Sequence, residues 1–143
     1  MTIDQISVFI ENKTGRLADI ACLLGDNNVD LKAMCIADTT EFGILRMITA
    51  DNDKAVDVLR QAECIFSITP VLAVRIDDKP GSMAKVLRLF EANEIGIEYI
   101  YAFNTCSETE AYVVFRVENN QKAEQILTEN GYKTISQKEL KKM

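Results

Sequence analysis

Residues 11–34, ENKTGRLADIACLLGDNNVDLKAM, and residues 77–100, DDKPGSMAKVLRLFEANEIGIEYI, align without a gap at an offset of 66 positions. Lys13, Gly15, Ala18, Leu23 and Asn27 recur as Lys79, Gly81, Ala84, Leu89 and Asn93, while Ile20, Val29 and Leu31 return as Val86, Ile95 and Ile97. A fixed internal period marks a duplicated unit and overrides the length prior under which 143 residues would form one domain. Two domains are therefore expected, residues 1–70 and 71–143. Modules of about 65 to 70 residues bury only about 60 % of their unfolded surface, so two copies, or two chains, are expected to share a core.

Working outward from the repeat, QISVFIE alternates Ile6, Val8 and Ile10 with Ser7, Phe9 and Glu11, which is the period of a strand. Leu17, Ile20, Ala21 and Leu24 then fall at helical spacing, as do Met83, Val86, Leu87 and Phe90. VDLKAMCIADT and FGILRMIT read as two strands, and Asp51 offers a cap for a helix carrying Ala55, Val58, Leu59 and Ala62. IFSITPV closes the unit and runs almost directly into LAVRIDD, with about two residues around Pro70 as the separation. The second copy predicts a strand at 71–77, a helix at 82–93, strands at 95–105 and 111–118, a helix at 120–130 and a strand at 132–136.

Each repeat is thus β-α-β-β-α-β. That order places the chain in the α+β class as two tandem ferredoxin-like units, each an antiparallel four-stranded sheet with both helices on one face. Strict alternation would put Ile97, Tyr99, Tyr101 and Phe103 on one side of their strand and Ile100 and Ala102 on the other. In the first copy it sets Leu31, Ala33, Cys35 and Ala37 against Met34 and Ile36. Neither side is cleanly polar, so the helix-free face is expected to be at least partly covered.

Hydrophobic residues make up 48 % of the chain and charged residues 27 %, the composition of a folded globular protein. No apolar run approaches the roughly 18 to 20 residues that span a bilayer, and the start lacks a leader pattern. A cytoplasmic protein without a membrane partner is expected. The net charge of −6 divides unevenly: residues 1–70 carry 11 acids and 6 bases, and residues 71–143 carry 11 acids and 10 bases. Phosphate backbones repel such a chain, which argues against a nucleic-acid partner and against base stacking on Tyr99, Tyr101 and Phe103. Cys22, Cys35, Cys64 and Cys106 form no CxxC pair, and histidine is absent. These features speak against a disulfide framework and a metal site, and they leave the thiol of Cys106 without an activating base. No cofactor, metal or catalytic residue is predicted. Arg46 and Arg116 are taken as recurring third-strand residues engaged in structural ion pairs.

The chemistry concentrates in ENKTG and DDKPG. A strand ends in Asn or Asp, turns through Lys and Thr or Pro, and reaches a Gly that opens a helix. Glycine lets the backbone approach a ligand, and the first free amides of a helix attract a carboxylate with the positive end of its dipole. Asn12 can donate or accept, and the Asp78 carboxylate can receive an ammonium, so the two ends of a free amino acid find partners.

This pattern, an apolar strand, [N/D]-x-P-G-x-[L/M], an amphipathic helix, N-x-[V/I]-[D/N]-[L/I] and a two-strand meander, resembles the ACT domain, once per repeat over nearly the whole chain. The resemblance implies two ACT units paired edge to edge into a larger sheet, with an amino-acid effector between the turn of one unit and the second-strand start of the other. It assigns Asn12, Lys13, Thr14, Gly15, Arg16 and Leu17 to one turn and Asp78, Lys79, Pro80, Gly81, Ser82 and Met83 to the other. Asp30, Leu31, Gly96 and Ile97 become the facing positions. Gly96 would leave a roomy, neutral site opposite Asn12, whereas Asp30 and Asp78 would form an acidic one. The function implied is amino-acid-binding regulation without enzyme activity, in an expected homodimer, with the ligand signalled either to a partner such as an amino-acid biosynthetic enzyme or regulator or by oligomerisation. The competing expectation is a protein-interaction module with no ligand.

Overall fold

The computed structural model describes residues 1–38, 42–104 and 108–143. Its elements run β1 (Ile3–Glu11), α1 (Arg16–Asp26), β2 (Leu31–Asp38), β3 (Phe42–Thr49), α2 (Asn52–Gln61), β4 (Ile65–Asp77), α3 (Ser82–Ala92), β5 (Ile97–Ala102), β6 (Glu110–Val117), α4 (Asn120–Glu129), β7 (Lys133–Thr134) and α5 (Gln137–Lys141). The chain divides into two compact units, Asp4–Thr69 with Leu140–Met143 and Pro70–Glu139 with Met1–Ile3. In the first unit β3 pairs antiparallel with both β1 and β2, and in the second β6 pairs antiparallel with both β4 and β5.

Helical periodicity accounts for the cores. Ile20 and Leu24 of α1 and Ala55, Val58 and Leu59 of α2 close over Ile6, Val8, Ile10, Leu45 and Met47. In the second unit, Val86 and Phe90 of α3 and Ala123, Ile126 and Leu127 of α4 cover Leu72, Val74, Ile76, Val113, Phe115 and Val117. Both helices of each unit therefore lie on one sheet face. On the opposite face Ala33, Ile48, Ala73, Tyr101 and Val114 are buried, so that face is covered in part, as its mixed polarity predicts. Gln5 and Ser7, buried on this side of β1, satisfy each other through a 3.1 Å hydrogen bond from Gln5 Nε2 to Ser7 Oγ.

The duplication extends to individual hydrogen bonds. Asn27 and Asn93 each donate through Nδ2 to the carbonyl four residues back at 2.8 Å. The Asn52 amide donates to the Asp4 carbonyl at 2.9 Å, and the Asn120 amide donates to the Pro70 carbonyl at 3.1 Å. The offset changes along the chain. Ile6 and Leu72 lie 66 positions apart, whereas their strand partners Met47 and Phe115 lie 68 apart. From Ile97 to its partner Val117 the chain runs two residues further than from Leu31 to its partner Thr49.

Four sequence expectations change. The residues around Pro70 form no linker, because β4 is one continuous strand of 13 residues; Pro70 supplies a carbonyl to Asn120 where its missing N–H needs no partner. The strand at 132–136 contracts to Lys133–Thr134, and the tail folds as α5, started by a reciprocal cap in which Ser136 N and Oγ donate to Glu139 Oε2 at 2.8 Å. Strict alternation fails at β-bulges between Leu31 and Ala33 and between Ile97 and Tyr99. Ile97 consequently shares the helix-covered face with Val117, apart from Tyr99 and Tyr101, and Leu31 packs toward the first core. Arg46 and Arg116 are not equivalents: the 68-residue offset matches Arg46 with Val114 and Arg116 with Ile48.

Candidate functional site

The two turns are the same object built twice. The Lys13 amide donates to the Glu11 carbonyl at 2.8 Å and the Lys79 amide to the Asp77 carbonyl at 3.0 Å, after which Arg16 and Ser82 donate back to Lys13 and Lys79 at 3.2 Å. Gly15 at φ 89° and Gly81 at φ 87° then open α1 and α3 in the left-handed region that disfavours any side chain. Asn12, Lys13, Thr14, Gly15 and Arg16 are exposed, with Leu17 half-buried against the core; Asp78, Lys79, Pro80 and Gly81 are exposed, with Ser82 and Met83 half-buried. Glu11 takes the Lys13 ammonium at 2.8 Å, and this bond holds its carboxyl below the usual glutamate range.

Helix starts divide into two kinds. Asp51 caps α2 by accepting from the Lys54 amide, and Asn119 caps α4 by accepting from the Lys122 amide. Gly15 and Gly81 bring no side chain to the first turns of α1 and α3, which leaves outward-pointing amides for another acceptor. An anion is the natural complement of such an end.

At the second-strand starts, the Asp30 carboxylate meets Lys32 Nζ at 2.7 Å, and the Lys32 side chain is only 8 % exposed. A cation so far from water requires the partner. Gly96 occupies the equivalent place in the second unit, and the space beside it is not empty. A Cβ there would lie 2.6 Å from Glu118 Oε1, so the Glu118 carboxylate fills the space the missing side chain leaves. Glu118 N donates to the Gly96 carbonyl at 3.1 Å just as Ala50 N donates to Asp30 at 3.0 Å. The pair Asp30 and Ala50 has become Gly96 and Glu118. Each repeat thus keeps one carboxylate at this corner, carried by opposite strands.

Sequence reasoning missed Lys32, Glu98 and Glu118. Glu98 occupies the bulge position that Lys32 occupies in the first copy and pairs with Arg116 Nε at 3.1 Å, which confirms the structural ion pair expected of Arg116. Lys32 and Glu98 were available at the 66-residue offset, whereas Glu118 emerges only once the offset becomes 68. Among the described residues no three Cys, Asp or Glu side chains gather as a metal site requires. Cys22 is exposed and Cys35 and Cys64 half-buried, all three free; Cys106 lies outside the described residues. No described helix is long and apolar enough to cross a membrane.

A family model described as an ACT domain pair matches residues 1–143. The chain belongs to the ACT domain pair family. A crystal structure of a protein from Bacteroides thetaiotaomicron is 36 % identical, with a TM-score of 0.92, over 100 % of this chain and 98 % of that one. The regulatory subunit of aspartate kinase from Thermus thermophilus, in a ligand-free form, aligns over 90 % of this ACT pair and 92 % of its own chain at 16 % identity and a TM-score of 0.63. The corresponding subunit from Thermus flavus gives 18 % identity and a TM-score of 0.59 over 87 % and 88 % of the two chains. At such identities these two subunits attest the fold. No curated protein matches the chain in sequence. The ACT pair is a regulatory type of module, and its repeats are the ferredoxin-like units that the element order predicts.

Proposed function

We propose that this ACT pair is a non-enzymatic regulatory protein that binds a free amino acid. The observation that carries the reading is the contrast between helix starts: α2 and α4 are closed by their own side chains, whereas α1 and α3 open on bare glycines at two identically bonded turns. The amides of those first turns suit an α-carboxylate, with Asn12 and Asp78 beside them. The carboxylates at the second-strand corners suit an α-ammonium: Glu118 beside Gly96 in one repeat and, in the other, the oxygen of Asp30 that Lys32 leaves over. Leu31 and Ile97 flank them in sequence. In the cytoplasm its output passes either to a partner, an amino-acid biosynthetic enzyme or regulator, or through oligomerisation as a homodimer.

The test is a thermal-shift screen against the twenty amino acids at millimolar concentration, repeated on Asn12→Ala, Asp78→Ala and Asp30→Ala. A ligand at about 100 times its Kd adds about 2.7 kcal/mol, which raises the midpoint by several degrees. One amino acid or a small set is expected to do so, and each substitution is expected to reduce the shift. No shift with any amino acid would leave the turns architectural and the protein an interaction module.

A further inference from the structure

The two repeats carry equivalent clefts at the end of the sheet where β1 and its counterpart in β4 finish. In the second repeat Arg75, Ile76, Asp77, Glu110, Tyr132 and Lys133 enclose about 270 Å³. In the first, Phe9, Arg16, Phe42, Glu63, Cys64 and Ile65 line a cleft of about 300 Å³. The registers give the correspondence. Phe9 lies opposite Ile44 as Arg75 lies opposite Tyr112, and Phe42 faces Glu11 as Glu110 faces Asp77. The Cys64 amide closes onto Leu59 as the Tyr132 amide closes onto Leu127, which makes Ile65 the counterpart of Lys133. Three charged residues of one copy are therefore three large apolar residues in the other.

The second repeat serves as an internal control. There Arg75 Nη2 meets Glu110 Oε2 at 2.5 Å, so the fold accepts polar residues at these places and does not itself demand Phe9, Phe42 or Ile65. Yet those three are 47 %, 57 % and 72 % exposed. Isolated exposed hydrophobes need no explanation, but three around one concavity mark a surface that gains by being covered. A volume of about 300 Å³ is at the lower bound of small-molecule sites, which suits a ligand of single-residue size. The rim selects its head group. Arg16 approaches Asp19 at 3.9 Å and lies within the field of Glu11, which lines the same cleft, and Glu63 adds a second lining carboxylate in a left-handed conformation at φ 59°. Burial pushes the Cys64 thiol up while Arg16 opposes the shift, so this half-buried residue of the lining lies within the field of the guanidinium.

We propose that the first-repeat cleft binds an apolar α-amino acid, its side chain against Phe9, Phe42 and Ile65, its carboxylate at Arg16 and its ammonium at Glu63. The site shares its ligand class and Arg16 with the regulatory reading and differs from it in the residues that take the side chain and the ammonium. The cleft of the second repeat, lined by ions, is closed to the same ligand.

Isothermal titration of the full chain with L-leucine, L-phenylalanine and L-serine tests this. Phe42→Glu and Ile65→Lys each install the second-repeat residue, and a retained melting midpoint certifies the fold. Leucine or phenylalanine is expected to bind more tightly than serine, with a loss of tenfold or more in each variant and none in Ile100→Lys, an exposed apolar position in the other repeat. Binding untouched by Phe42→Glu and Ile65→Lys but lost in Asn12→Ala and Asp30→Ala would overturn the cleft and keep the turn site. Binding that depends on Phe42 and Ile65 alone would keep the cleft and overturn the turn site. Equal affinity for serine, a change confined to the oligomeric state, or no binding by any amino acid would each overturn the cleft assignment.

Discussion

The β1–α1 corner of the first repeat and the β4–α3 corner of the second share a backbone and almost none of its surface chemistry. Both turn through a lysine, both place glycine near φ 88° at a helix start, and both exit the helix through an Asn amide bonded four residues back. Around this shared frame, Phe9, Phe42 and Ile65 stand where Arg75, Glu110 and Lys133 stand, and Asp30 with Ala50 stands where Gly96 with Glu118 stands. The backbone is common because strand pairing and the positive φ at Gly15 and Gly81 tolerate little change. Side chains at the sheet ends carry no such constraint, so divergence there is free to record two different surfaces. The carboxylate near the strand start is the exception. It is retained in both copies although the residue bearing it has moved across strands, and retention by a different route is what a charge requirement at one point in space would produce.

The largest expected difference lies in the cores. Phe90 and Phe115 meet edge to face with centroids 5.4 Å apart, whereas the same places in the first repeat hold Leu24 and Met47. Phe90→Ala is expected to cost about 3–5 kcal/mol and Leu24→Ala about 2.7–5 kcal/mol in urea unfolding. The aromatic contact adds about 0.5–1.5 kcal/mol of coupling that a double-mutant cycle of Phe90→Leu with Phe115→Met would isolate. A coupling near zero would show that the two cores differ in shape alone.

A smaller effect tests the exchanged carboxylate. Gly96→Asp alone sets a second carboxylate beside Glu118, which is the end of a flexible exposed side chain and can swing away. The expected cost is therefore modest, about 0.5–1 kcal/mol at low salt, and screening reduces it. Adding Glu118→Ala recreates the Asp30 and Ala50 arrangement of the first repeat and is expected to recover most of that loss. If the double variant is instead as unstable as the single one, the two corners are not interchangeable and the correspondence of Glu118 with Ala50 carries no meaning for charge.

How much of this was legible depended on which periodicity carried the signal. Helix spacing at Ile20, Leu24, Val86 and Phe90, the cap at Asp51 and the opening glycines all emerged from the sequence because each is a local rule with a local cause. The face of Ile97 did not, since the bulge at Glu98 inserts one residue and reverses a period-two pattern, and the matching bulge at Lys32 has no Gly or Pro beside it to announce the pair. Glu118 was out of reach while the repeat was held at one offset, and the same error paired Arg46 with Arg116. A two-residue difference in the separation of paired strand positions is invisible until strand registers fix it. The clefts required residues from three separate segments, Phe9, Phe42 and Ile65, to be brought together, and no spacing rule joins them. The last helix has a local sign of its own, the reciprocal-cap spacing of SQKE at 136–139.

That tail supplies the mildest contrast between the copies. Where the first repeat continues along β4 into the next unit, the second stops after Lys133–Thr134 and turns into α5, so its ending must be held by other means. Glu139 does this by accepting from Ser136 N and Oγ, while Glu139 N donates back to Ser136 Oγ at 3.2 Å. These bonds, with Arg75 and Lys133 nearby, hold the Glu139 carboxyl below its usual value of 4.5. A carboxyl with a depressed folded pKa stabilises the fold above its unfolded value and loses that contribution as pH falls through the folded one. Glu139→Gln is therefore expected to loosen α5 at pH 7, seen as faster amide exchange at the buried Leu140, and to match the wild type once acid has protonated Glu139 in both chain states. Exchange that differs equally at pH 7 and in acid would assign the cap to hydrogen bonding without charge. Exchange that never differs would show that burial of Leu140 alone holds the helix the first repeat does not have.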